Sequence, residues 1–190
     1  TVVNLSFPAR GSLFVVFAKD AAGRTGATPK AAAAPVELKG PWTLAFESDA
    51  LHRGPAKALK TAKLFDLSTS ADPAVKFYSG KIVYTTTFTC KQTGTRQVLD
   101  LGEVAVTAKV KVNGQSAGGV CFAPYRLDVT SLVKAGVNTL EVEVCDLWIN
   151  RLVGDSTLAD RPTWTSLPCC NAKTALPKAG LIGPVCLRAE

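Results

Sequence analysis

The run Val106-Thr107-Ala108-Lys109-Val110-Lys111-Val112-Asn113-Gly114 carries the clearest structural signal in the chain. Val106, Ala108, Val110 and Val112 alternate with Thr107, Lys109 and Lys111, the period of a strand with one dry and one wet face. Asn113-Gly114 follows at once, a pair that accepts the positive φ angles of a two-residue hairpin turn. The same alternation recurs on both sides: Trp42-Thr43-Leu44-Ala45-Phe46, Ile82-Val83-Tyr84-Thr85-Thr86-Thr87-Phe88 and Leu140-Glu141-Val142-Glu143-Val144. Half-wet strands belong to antiparallel sheets, because strands covered on both faces read as continuous apolar runs. Helical signal is scarce. Residues 55–62 have room for two turns, and Thr130-Ser131-Leu132-Val133-Lys134, with Gly136 behind it, reads as one capped turn. Many short strands joined by Gly, Pro and Asn turns define an all-β chain, a two-sheet sandwich or a barrel, and the sandwich is the preferred reading.

Composition agrees with one such domain. The chain has 190 residues, of which 47% are hydrophobic and 19% charged. That length buries a core without disulfide or metal staples, and the apolar fraction excludes intrinsic disorder. No apolar run approaches the roughly 20 residues of a membrane-spanning helix. The net charge of +7 is spread along the chain: +3 over residues 1–40, +3 over 41–100, −2 over 101–160 and +3 over 161–190. Polyanion binding needs a concentrated patch, and the nearest to one, Lys57, Lys60 and Lys63, reads as a solvated face. Neither nucleic acid nor a membrane is expected as a partner.

Thr1-Val2-Val3-Asn4-Leu5-Ser6-Phe7 reads as a strand already under way rather than a signal peptide, and Ser12-Leu13-Phe14-Val15-Val16-Phe17 as another. The Ala/Gly/Thr/Lys stretch after it has no period. Residues 1–17 are therefore expected to end a preceding β module, 18–35 to be an Ala-rich linker, and 36–190 to form the main domain. Catalytic signatures are missing. His52 is the only histidine, so a three-histidine zinc site is excluded. Glu141 and Glu143 share a strand face, but a regularly alternating outer face reads as solvated surface rather than a hydrolytic pair. The six cysteines show no C-x-x-C spacing. They are expected as free thiols, Cys90 buried and Cys145 exposed or bridged.

Residues 146–187 break the pattern. Asp146-Leu147-Trp148-Ile149-Asn150-Arg151-Leu152-Val153-Gly154-Asp155 loses the alternation, an aperiodic stretch containing Trp164 and Cys169-Cys170 follows, and strand character returns at Leu181. Long loops in compact domains are uncommon unless they have a task. Trp148, Trp164, Asn150, Arg151 and Asp155 supply aromatic faces for the C–H side of a sugar ring and planar polar groups for its hydroxyls. The structural alternative has Trp148 packed beneath the loop and Arg151 paired with Asp155 to hold its shape. That alternative is favoured for Trp148 and stands level with the binding role for Arg151 and Asp155.

Several motifs in order resemble a known family. Gly40-Pro41-Trp42 and Asp72-Pro73-Ala74-Val75-Lys76-Phe77-Tyr78-Ser79-Gly80-Lys81-Ile82-Val83-Tyr84 are similar to the opening of family-2-type sugar-binding domains of glycoside hydrolases. Ala108 to Gly114, Pro124-Tyr125-Arg126-Leu127-Asp128-Val129-Thr130 and Gly136-Val137-Asn138-Thr139-Leu140 resemble their central block. Trp148 to Asp155 and Gly180-Leu181-Ile182-Gly183-Pro184-Val185 resemble the closing signature of large α-L-rhamnosidases of glycoside hydrolase family 106. The likeness spans about residues 36–188. It implies a galactose-binding-like jelly roll, non-catalytic itself, attached to a catalytic (β/α)8 barrel in an enzyme that bacteria export to degrade plant polysaccharides. It further implies that the loop at Trp148 and Asn150 reaches the active site of that barrel, with Asn150 and Arg151 on the sugar. No cofactor is implied beyond a structural calcium ion of the kind such jelly rolls often hold.

Overall fold

The computed structural model describes Leu5, Phe7 and residues 11–17, 34–48, 54–91, 95–158 and 170–189. The chain divides into two units, Thr1–Ala31 and Ala32–Glu190. In the first, residues 11–17 form no strand, contrary to the expectation for Ser12 to Phe17. A short apolar run does not by itself make a strand. The expected linker at 18–35 lies outside the described residues except for 34 and 35.

The second unit is an antiparallel β-sandwich. Its larger sheet contains β2 (Trp42–Phe46), β3 (Leu59–Thr61), β4 (Lys81–Cys90), β7 (Thr107–Val112), β8 (Gln115–Val120) and β10 (Gly136–Cys145) in the order β3-β2-β4-β10-β7-β8. The smaller sheet runs β1 (Val36–Glu37), β12 (Cys186–Ala189), β5 (Gln97–Asp100), β9 (Arg126–Asp128). A two-stranded piece, β6 (Glu103–Ala105) with β11 (Gly180–Gly183), closes one end. Every paired strand is antiparallel.

The hairpin forms as its sequence dictates. Val112 pairs with Gln115 across Asn113 and Gly114, whose φ angles are +52° and +79°. Alternation then sorts the side chains. Ala108, Val110, Val112, Leu140, Val142, Val144, Ile82, Tyr84 and Trp42 turn inward and are buried against Leu99, Leu101, Val129, Leu181 and Leu187. On the outer face Glu141 stands opposite Lys111 and Glu143 opposite Lys109, the solvated surface expected of them.

The hairpin is also fastened through polar groups. Asn138, buried on β10, accepts from Asn113 Nδ2 at 2.8 Å and from the Lys134 amide at 2.9 Å, and donates to the Lys134 and Gly136 carbonyls. Asn113 also donates to the Leu132 carbonyl and accepts from the Thr139 amide. The expected turn at 130–134 forms, with the Val133 amide reaching the Val129 carbonyl. The helix expected at 55–62 does not. Leu59–Thr61 is an edge strand on β2, because pairing Leu44 with Leu59 outweighs the helical propensity of an Ala/Lys run. The strand expected near Leu181 is broken at Pro184 into β11 and β12, which serve different sheets.

Candidate functional site

β10 leaves the large sheet at Cys145, and Asp146 keeps the inward parity of Leu140, Val142 and Val144. A carboxyl group is thus carried where a core side chain would stand. It meets the return of the chain into β11, where three successive amides are each taken by a different side chain. The Ala179 amide donates to Asp66 Oδ1 at 3.0 Å, the Gly180 amide to Asp146 Oδ1 at 2.8 Å, and the Leu181 amide to the Tyr84 hydroxyl at 3.1 Å. Asp66 Oδ1 also caps a 3-10 turn (Leu67–Thr69) through the Ser68 amide and hydroxyl. Gly180 has φ +84°, and a Cβ there would collide with the Tyr84 hydroxyl and Leu67. Only glycine brings the backbone this close.

The electrostatics of the corner follow from its dryness. Burial pushes the Asp146 carboxyl up to about 7, opposed by the Gly180 hydrogen bond and reinforced by the Asp66 charge. Burial likewise raises the Tyr84 hydroxyl above the usual phenol value. The other Asp146 oxygen, Oδ2, is buried without a hydrogen-bond partner.

The segment after Asp146 is helical, which its sequence pattern did not announce. α2 (Ile149–Asp155) begins at Trp148, which offers no side-chain cap, and its last carbonyls are met by the Ser156 and Thr157 hydroxyls. Its inward face consists of Asn150, Val153, Gly154 and Asp155. Gly154 lies so close to Phe77 that a Cβ would sit 2.6 Å from that ring. Phe77 follows the one-turn helix α1 (Pro73–Lys76), which Asp72 caps through the Ala74 amide, so α1 and α2 are pressed together at this contact.

The nominated residues separate into two groups. Asn150 is 2% exposed and donates to the Pro177 carbonyl at 3.0 Å, leaving its Oδ1 unpaired. Asp155 is also 2% exposed and forms an ion pair with Arg151, one helical turn away and itself mostly buried. Arg151 and Asp155 pair as in the structural alternative raised from sequence, and Asn150 ties the helix to the return segment at Pro177. Trp148 does the opposite of what was favoured. It is 70% exposed, flanked by exposed Leu147 and, beyond the helix, Leu158. Helix formation explains this: turning Asn150 and Val153 inward carries the preceding indole outward. Trp164, His52 and Cys169 lie outside the described residues.

Sequence reasoning missed Asp66, Tyr84, Phe77 and Asp146 as parts of this corner. For Asp146 a signal existed, namely an acid at the inward parity of an alternating strand. Among the described residues no three His, Cys, Asp or Glu side chains converge to hold a metal ion. Among the described cysteines Cys90 is buried, and Cys145 is exposed.

Fold and corner together define a β-sandwich of the sugar-binding kind found in glycoside hydrolases, with an aromatic side chain displayed at one rim. Residues 60–169 match the family described as glycosyl hydrolase 2 galactose-binding domain-like. The chain belongs to that family. It is similar to the rhamnosidase from Novosphingobium sp. PP1Y, at 40% identity and a TM-score of 0.81, covering 88% of this chain and 16% of that one. A putative beta-glucuronidase from Formosa agariphila is 38% identical over 145 residues, 74% of this chain and 12% of the relative. The β-glucuronidase from Ruminococcus gnavus bound to D-glucuronic acid shares the fold, at 19% identity and a TM-score of 0.58, covering 85% of this chain and 30% of that one. The chain spans between about an eighth and a third of the length of these relatives.

Proposed function

We propose that this chain is a non-catalytic accessory domain of a larger glycoside hydrolase resembling α-L-rhamnosidases. In that reading it supports a catalytic barrel in the same polypeptide and presents Trp148 at the α2 rim, toward plant-derived carbohydrate held by the barrel. The observation that carries it is the 40% identity over nearly the whole domain to a rhamnosidase of which this chain equals only a sixth. An exposed indole suits the role, because its face packs on the C–H side of a pyranose while the ring loses little freedom. Asn150, Arg151 and Asp155 then act behind Trp148, by fixing the helix that displays it. The parent is proposed to be exported by its bacterial host, which fractionation of cells producing it would check.

The test is Trp148→Ala in the full-length enzyme. We expect kcat/KM toward a rhamnoside to fall about tenfold, the loss of roughly 1.4 kcal/mol of aromatic contact, with the unfolding midpoint unchanged. Unchanged kinetics would remove the indole from the substrate pocket.

A second reading has one observation in its favour. Leu147, Trp148 and Leu158, before and after α2, are all exposed, which suits a surface covered by a neighbouring domain. It predicts that Leu147→Ser with Leu158→Ser loosens the full-length enzyme while leaving the isolated chain as stable as before. A stand-alone carbohydrate-binding module would instead give calorimetric heat when this chain alone meets rhamnose-containing oligosaccharides.

A further inference from the structure

The corner that seats α2 contains a buried acid whose two oxygens are treated unequally. Asp146 Oδ1 receives the Gly180 amide, whereas Oδ2, equally buried, receives nothing. A carboxylate with one bare oxygen in a dry site is costly, whereas a neutral carboxyl is not. The groups that face it do not compensate. From β4 comes Tyr84, whose hydroxyl is occupied by the Leu181 amide. The turn before Leu67 brings Asp66, a second acid, already holding the Ala179 and Ser68 amides. The nearest lysine on the return segment, Lys178, directs its ammonium to Glu103 on β6 at 2.7 Å. From α2 comes the Asn150 amide, which is given to Pro177. Among the described residues, then, no cation neutralises Asp146.

We infer that Asp146 is a proton-dependent latch: with its proton it closes the return segment 177–181 onto β10 and α2, and on losing it the rim that displays Trp148 loosens. The geometry makes the coupling direct. The Gly180 amide is the middle one of three successive captured amides, and Pro177, three residues earlier, is the partner of Asn150 on α2. An ionised Asp146 must draw water or a donor to Oδ2, and the space for either comes from moving that segment. The latch operates whatever the rim meets, so it does not depend on the proposed accessory role.

The sign follows from linkage. The closed form holds the proton with an affinity near pH 7, while in an opened, solvated form the group titrates near its ordinary value of 3.8. Opening therefore increases about tenfold per pH unit between roughly pH 4 and pH 7, then levels off.

The experiment is amide exchange on this chain from pH 5 to pH 8, read as protection factors at Gly180, Leu181 and the α2 amides. We expect protection to fall about tenfold per unit up to pH 7 and to be flat across the range in Asp146→Asn, which keeps an acceptor for Gly180 without the charge. Flat wild-type protection overturns the latch, as does an unchanged slope in the variant. Should the variant fail to fold, the Asp146 carboxyl carbon shift in wild-type protein decides. A titration midpoint near 7 supports the latch, and one below 5 overturns it.

Discussion

The turn that joins β7 to β8 and the rim that carries α2 are both held by polar side chains that are buried or half-buried, and they are held differently. At the turn, both amide nitrogens and both carbonyl oxygens of Asn113 and Asn138 are matched, by each other and by backbone groups of residues 132–139. At the rim, Asp146, Asn150 and Asp155 are buried as Asn138 is, yet at least one oxygen atom on each lacks a hydrogen-bond donor. A fully matched buried network makes one arrangement strongly preferred, whereas a partly matched one leaves alternatives within reach. The turn is thus built to persist and the rim to respond. The exposed indole stands on the responsive side.

Cutting one partner in each region should sharpen that contrast. Arg151→Ala strips the Asp155 carboxylate of its only ion-pair partner among the described residues, and an uncompensated buried charge costs about 3 kcal/mol. Denaturant unfolding should show that loss, and Arg151→Met with Asp155→Leu should recover most of it. Asn138→Ala removes one of the two acceptors of the Asn113 amide and the side-chain partner of the Lys134 amide and of the Lys134 and Gly136 carbonyls, for a loss of about 2–3 kcal/mol with no pH dependence between 5 and 8. A loss below about 0.5 kcal/mol would mean that water replaces the network. Next in size, Gly154→Ala drives a methyl into Phe77 and should cost about 1–2 kcal/mol, accompanied by faster exchange in α2.

Asp146 gives the contrast its pH signature. Its proton is held more tightly in the folded chain than in the unfolded one, so its contribution is complete below about pH 4 and is lost as pH rises toward 7. Thermal melts should place the Tm of Asp146→Asn above wild type by clearly more at pH 8 than at pH 5. Equal shifts at both pH values would show that the carboxyl is not the titrating group. The smallest effect belongs to the outer face of the hairpin sheet. Lys111→Ala, opposite Glu141 in water, should change stability by less than about 0.5 kcal/mol.

The two regions also differ in how plainly their sequences state their structure. Around Asn113 every level agrees: period-2 residues face a core, and Asn-Gly meets a turn that requires positive φ at both centres. The segment Ile149–Asp155 is opaque for a physical reason. Its inward face is Asn, Val, Gly and Asp, so polarity marks the buried side and the amphipathic signature is absent. For the same reason Trp148, the largest side chain nearby, was expected inside and is found outside. At 55–62 the Ala and Lys residues describe a helix that pairing with β2 overrides. The pairing of Arg151 with Asp155, by contrast, was legible from its four-residue spacing, although that spacing could not choose between scaffold and ligand contact.

The central claim is that the rim around Trp148 faces a partner within a larger hydrolase. Hydroxyl-radical footprinting of Trp148, in this chain alone and in the full-length enzyme, measures that most directly. The account predicts labelling at least fivefold slower in the full-length enzyme, with the outer-face strands β7 and β8 unchanged. Equal labelling of Trp148 in both would contradict it.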